Sequence, residues 1–264
     1  MRRLLPAAFA LVVFSCATTP PATPPPCNPG LALVNAALWL QSAAEYRASA
    51  TQTYTVARQA LDAALATPSD QPSAIILDLD ETSIDNSRFE ARMVHAGKTY
   101  DADAWKQWVS ESSAGATPGA AEFLAYAHSR GVTPFYITNR KADEEPATRR
   151  NLEKLGYPLD PNQDNLLTKG ERQEWSTSDK SARRDYVASR YRVLLVFGDD
   201  LNDFINAQGK TNEERLDLFR TNASKWGTKW FILPNATYGS WETTLAGSGS
   251  ACEQLKKKVE ALTP

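Results

Sequence analysis

The sequence predicts an α/β fold: a Rossmann-like, mostly parallel sheet with helices on both faces and a small helical lobe beside it. Three observations carry that expectation. Short apolar runs at 75–77, 132–137 and 193–197 recur between stretches of helical periodicity, the alternation that builds a parallel sheet. The runs are predominantly apolar rather than alternating, as expected of strands buried on both faces. Each also ends in a polar cluster, Asp78/Asp80/Thr82, Thr138-Asn139-Arg140 and Asp199/Asp203, and in open α/β sheets reacting groups collect beyond the carboxyl ends of the strands. A length of 264 residues suits one such domain with an added lobe.

At the amino end, Arg2 and Arg3 precede an apolar run over 4–14 that is too short to remain as a membrane span, so 1–15 reads as an export leader. Val13-Phe14-Ser15-Cys16 is similar to a bacterial lipobox, in which cleavage falls before a cysteine that is then acylated. An ordinary secretory signal cut further on is the alternative. Both place the mature protein outside the cytoplasm, either anchored through Cys16 at a bacterial outer membrane or periplasm, or secreted. Residues 16–30 are Pro-rich and suit an extended spacer. With Cys16 modified, Cys27 and Cys252 remain near the two ends of the mature chain; an exported setting permits a disulfide, and two free thiols are the alternative.

The body occupies 31–264. From 31 to 66, Trp39, Ala43, Tyr46, Ala50, Tyr54, Ala57 and Leu61 recur every three or four residues, which predicts one long helix or two short ones, closed by Pro68 and Pro72. The strand at 75–77 follows. Residues 84–118 are polar, contain Trp105 and Trp108 and show no clear strand; they are expected to form a helical cap beside the site. A helix over 118–130 stopped by Gly131 leads to the strand at 132–137, and a helix over 144–155 is closed by Gly156. A short strand at 165–168, a helix over 178–190, the strand at 191–197, a helix over 212–225, a strand at 230–233 and a closing helix over 251–262 complete the alternation.

Lys and Arg number 29 against 31 Asp and Glu, a formal charge of −2, so no basic surface excess calls for a nucleic-acid polymer as partner. Charged ligands must be met locally. Two carboxylates spaced i, i+2 at the end of a buried strand, Asp78 and Asp80, repel each other and invite a divalent cation such as Mg²⁺, which prefers hard oxygen ligands. His95 and His128 have no metal-ligand spacing.

In order and separation, Asp78/Asp80/Thr82, Thr138, Lys180 and Asp199/Asp203 resemble the four motifs of the haloacid dehalogenase (HAD) superfamily. The stretches 37–48, 78–86, 135–140, 178–188, 198–204 and 231–242 look more narrowly like the bacterial class C acid phosphatases, which include lipoprotein acid phosphatases and 5′-nucleotidases. That resemblance implies an exported, Mg²⁺-dependent hydrolase of small phosphomonoesters, nucleoside monophosphates among them. It makes Asp78 the nucleophile that forms an aspartyl-phosphate and Asp80 the general acid and base. It also implies a metal held by Asp78, Asp199 and the Asp80 backbone carbonyl, with Asp203 as an outer or alternative ligand, and phosphate contacts from Thr138, Asn139 and Lys180. Lys169 is the rival lysine, and other divalent ions are possible. Glu81 and Asp200 read as loop or solvent acids. Trp105 and Tyr238 are expected either to sandwich an aromatic leaving group or simply to pack. A reading from another class is a non-catalytic cell-surface lipoprotein that holds nucleotide, haem or metal on the same scaffold. Oligomeric state is not legible.

Overall fold

A computed structural model describes residues 26–263. The leader, Cys16 and the spacer up to residue 25 lie outside the described residues. After a single 3-10 turn, helix α1 (Val34–Ser42) and helix α2 (Ala44–Leu65) meet at Ala43, whose backbone is extended. The stripe from Trp39 to Leu61 is therefore two helices. The bend lets α1 reach the small lobe while α2 lies on the sheet, and the Trp39 and Tyr46 rings pack across it at 5.2 Å.

Five strands form one parallel sheet: β1 (Ser73–Leu77), β4 (Thr133–Lys141), β5 (Leu166–Lys169), β6 (Arg192–Gly198) and β7 (Trp230–Ile232), in the order β5-β4-β1-β6-β7. The strands β2 (Ile84–Asp85) and β3 (Gly115–Ala116) pair antiparallel outside it. The apolar runs explain why both faces are covered. In β1, Ile75 and Leu77 enter the larger core with Tyr54, Phe123 and Phe197, while Ala74 and Ile76 enter the smaller one with Phe135, Trp175 and Val196. Period-two side chains thus meet apolar partners on both sides, at about 1.5–3 kcal/mol for each large side chain buried. Sequence order reverses at β1, so its carboxyl end faces the crevice where α/β folds place ligands.

The predicted cap is a lobe of helix α3 (Ser87–His95) and helix α4 (Ala102–Glu111), closed at its base by the β2–β3 pair. That pair corrects the expectation of a strandless segment; two residues per strand are too few to show a period. Helix α5 (Ala120–Ser129) starts after Gly119, and helix α6 (Glu145–Lys154) follows a 3-10 turn. Strand β4 runs four residues beyond its predicted end, so Thr138, Asn139 and Arg140 belong to its last turn of extended chain, where the β5 register shifts. Helix α7 (Ser181–Ala188) begins one residue after Lys180. Helix α8 (Leu201–Phe204) and helix α10 (Ser240–Ala246) were not foreseen, and helix α9 (Asn212–Thr221) is shorter than predicted. Helix α11 (Ala251–Glu260) packs on α10, and Cys252 in it is joined by a disulfide to Cys27. No helix among the described residues is long and apolar enough to cross a membrane.

The disulfide closes a loop of 225 residues, so its main effect is to restrict the unfolded chain. Cys252→Ser is expected to lower the stability of the oxidised protein by about 2–4 kcal/mol in urea unfolding. Wild-type protein treated with dithiothreitol should show the same shift.

Candidate active site

Beyond Leu77 the chain curls back on itself. The Leu79 carbonyl accepts the N–H groups of Ser83 and Ile84, both at 2.8 Å, and Glu81 takes the left-handed conformation (φ 58°) that this reversal needs. The Ser83 hydroxyl donates to the Asp78 carbonyl at 2.7 Å. The result sets Asp78 and Asp80 on the floor of a cavity of about 850 Å³ whose walls come from residues 199–203, 207–211 and 238–244.

Asp78, Lys180 and Asp203 are all buried there. The Lys180 ammonium donates to Asp78 and, at 2.7 Å, to Asp203. Burial alone would strip the charge from Lys180, but the Asp203 and Asp78 carboxylates more than offset it and keep the lysine protonated. Burial pushes the Asp78 carboxyl up to about 7; Lys180 opposes that rise, and the Asp203 and Asp80 charges add to it. Asp199 is held well above the usual carboxylate range by burial and then by Asp203 and Asp78, although Thr82 (3.1 Å) and Asn235 (2.8 Å) donate to it. Oxygens of Asp78, Asp199 and Asp203 lie within 4.8 Å of one another. One ammonium against three carboxylates, Asp78 and Asp203 buried and Asp199 half-buried, leaves an excess of negative charge, and the donor set is all hard oxygen. Both properties fit a divalent cation.

Glycine is required behind this cluster. A Cβ on Gly198 would stand 2.3 Å from the Asp203 Cβ, because the short α8 turns Asp203 back over the end of β6. Asp203 is fixed there by its Asp200 N–H bond of 3.0 Å, half of the capping box that starts α8.

Other predicted residues sort differently. Asn139 lines the cavity and is held by Arg183 and the Ser178 carbonyl, whereas Thr138 is fully buried behind it, its hydroxyl accepting the Arg140 N–H at 3.0 Å. Lys169 donates to Ser178 rather than to Asp78. Tyr238 is on the cavity wall, with its hydroxyl donating to Glu81. Trp105, half-buried in the lobe, packs edge-on against Phe89 at 5.0 Å and under the Arg140 guanidinium. The Asp80 side chain stands outside the three-carboxylate cluster and is paired with Arg140 at 2.8 Å.

Glu81 corrects a sequence expectation. It is 1 % exposed rather than a solvent acid, accepts the Asn86 N–H at 2.9 Å, and is pushed well above its ordinary range by burial and then by Asp80 and Glu90. The left-handed turn aims it inward. Asp200 is a loop acid as read, capping α8, but it also accepts from the Ser240 N–H and hydroxyl and so ties two cavity walls together. Arg140, Asn86, Arg183 and Asn235 were missed. The arginine that closes the polar Thr-Asn-Arg cluster at the end of this strand is the available signal for Arg140, since arginine is buried only when paired.

A parallel sheet reversing at β1, an acid pair at its end, a buried lysine and an acid cluster after β6 define a phosphate-handling hydrolase of the HAD type. The chain belongs to HAD superfamily subfamily IIIB, the acid phosphatases, whose family model matches residues 26–241. The structure of the class C acid phosphatase from Bacillus anthracis is 34% identical, covers 90% of this chain and 99% of its own, and superposes with a TM-score of 0.83. The same enzyme with tungstate bound gives 35% identity, 89% and 98% coverage and a TM-score of 0.82. The protein is thus a phosphomonoester hydrolase, and the reading as a non-catalytic binding lipoprotein falls away.

Gly198→Ala should displace Asp203 and lower kcat/KM by about 100-fold, the loss that a misplacement near 1 Å typically brings. Circular dichroism should remain native. A second expectation concerns pH. Glu90, 2 % exposed in α3, is pushed up to about 8, by burial first and then by Glu242. The folded state therefore holds a proton that the unfolded chain releases near its ordinary value of 4.5. That stability is fully present below about 4.5 and is lost as pH rises toward 8. Glu90→Gln should flatten the fall in metal-free unfolding free energy between pH 5 and 8 by an amount on the order of 2 kcal/mol.

Proposed function

We propose that this acid phosphatase is exported, is anchored through a lipid on Cys16, requires Mg²⁺, and removes phosphate from small phosphomonoesters, nucleoside monophosphates among them. One observation carries the catalytic part of the reading. Asp78 is fixed by a buried, protonated lysine at the floor of a cavity large enough for a nucleotide. Tungstate, a tetrahedral oxyanion like phosphate, is bound in the related Bacillus anthracis enzyme.

Phosphoryl transfer asks mainly for positioning and for positive charge around the phosphoryl oxygens. Lys180 supplies one such charge. Asp78, Asp199 and Asp203 would hold the divalent ion, which when bound adds charge neutralisation at the same place. An Asp78 oxygen attacks phosphorus; the new O–P bond forms as the bond to the leaving oxygen breaks, and Asp80 gives that oxygen its proton. The Asp80 carboxylate then takes a proton from water as the water oxygen attacks phosphorus. The Asp78–phosphorus bond breaks, inorganic phosphate leaves, and both acids return to their starting states. Tyr238 offers a ring on the cavity wall to the leaving group, which suits a nucleobase. The leader and the lipobox-like Cys16 support export and anchoring.

Asp78→Asn is expected to cut turnover by at least about 1,000-fold while the unfolding transition stays cooperative; substantial residual activity would exclude Asp78 as the nucleophile. Chelation with EDTA should abolish activity, and added Mg²⁺ should restore it. Phosphate release from a panel of nucleotides, sugar phosphates and aryl phosphates ranks the substrates. Cys16→Ser should move the protein from the membrane to the soluble fraction, and an unchanged distribution would rule out the anchor.

A further inference from the structure

We propose that Arg140 and Asn86 are positioning residues for Asp80: they occupy its Oδ1 and leave Oδ2 as the oxygen that carries and takes back the catalytic proton. The inference rests on the reading of Asp80 as general acid and base. Its ground is a count of donors. Oδ1 of Asp80 receives Arg140 Nη2 at 2.8 Å, Arg140 Nε at 3.0 Å and Asn86 Nδ2 at 2.9 Å, whereas Oδ2 has only a long contact of 3.3 Å from Arg140 Nε. A carboxylate oxygen has two lone pairs, so three donors leave Oδ1 no room for a proton. Oδ2 is the available site.

The two donors are themselves fixed. Arg140 is 2 % exposed; its Nη1 donates to Thr148, its Nη2 also reaches Asn86 Oδ1 at 3.3 Å, and its guanidinium lies 5.3 Å from the Trp105 ring centre. Asn86 is fully buried, its N–H donates to Glu81, and its Oδ1 accepts from the Trp108 indole at 2.8 Å. The lobe therefore reaches Asp80 through Trp108 and Asn86, and the sheet reaches it through Arg140. A long flexible arginine and an amide that could otherwise rotate are both denied alternatives, so the Asp80 carboxyl cannot turn to offer Oδ1 instead.

Leaving-group dependence tests this, because an alkyl phosphate needs a proton on its departing oxygen and an aryl phosphate with a nitrophenol leaving group scarcely does. The comparison is kcat/KM, which reports formation of the aspartyl-phosphate, for β-glycerophosphate against p-nitrophenyl phosphate. Asp80→Asn serves as reference and should depress the alkyl substrate about 100-fold more than the aryl one. Equal losses there would overturn the general-acid reading itself. With that reference established, Arg140→Lys and Asn86→Ser should each depress the alkyl substrate at least about 10-fold more than the aryl one, and should add little when combined with Asp80→Asn.

Equal losses on the two substrates, or full additivity with Asp80→Asn, would mean that the pair only supports the fold and would overturn the positioning role. Trp108→Phe, which removes the donor to Asn86 Oδ1 without touching Asp80, should show the same selective loss in milder form. It carries the comparison should either direct variant fail to fold, and a uniform loss from it counts against the proposal.

Discussion

The Lys180 ammonium between Asp78 and Asp203 is the interaction on which the rest of the site depends. Three carboxylates, from the ends of β1 and β6 and from α8, crowd together at the floor of the cavity, and their mutual repulsion would drive them apart or neutralise them. A single buried cation, delivered by the residue before α7, offsets part of that cost and is itself kept charged by the same acids. The remaining negative charge suits a divalent cation, which when bound would offset the repulsion between these acids and an anionic phosphate. Geometry follows from this balance. Gly198 admits the Asp203 side chain, the α8 capping box aims it, and Thr82 and Asn235 hold Asp199 from either side.

Two acids separated by one residue meet unlike surroundings. Asp78 lies 8 % exposed against an ammonium, in the company of other carboxylates. Asp80 lies toward the lobe, in a bidentate grip from arginine with an amide beside it. The mechanism proposed above asks for a nucleophile that is rigid and unprotonated at the moment of attack and a proton carrier with one oxygen free and one anchored. The turn around Leu79 produces that division within three residues, because it sends alternate side chains to the acid cluster and to the sheet–lobe boundary.

Much of this was legible in the sequence, for a physical reason. Buried parallel strands are continuous apolar runs, and carboxylates at their ends have few structural uses, so the sheet and Asp78, Asp199 and Asp203 could be picked out together. The partners of these acids were harder to read. Arg140 sits in the same Thr-Asn-Arg cluster, yet nothing in linear order shows that it folds across to Asp80, sixty residues away. Asn86 and Trp108 are ordinary polar and aromatic residues of a lobe whose two-residue strands carry no periodicity. Glu81 was misread because an acid beside a turn is usually solvated, and only the left-handed backbone reverses its direction.

The cross-link between Cys27 and Cys252 also governs how the molecule responds to mechanical tension. A pull applied between the two ends of the chain travels through sulfur from residue 27 to residue 252 and bypasses everything between. The sheet, the lobe and the acid cluster all lie inside that closed loop, so stretching can draw out only the short segments beyond it. Under such a pull the sheet, the lobe and the acid cluster bear no load.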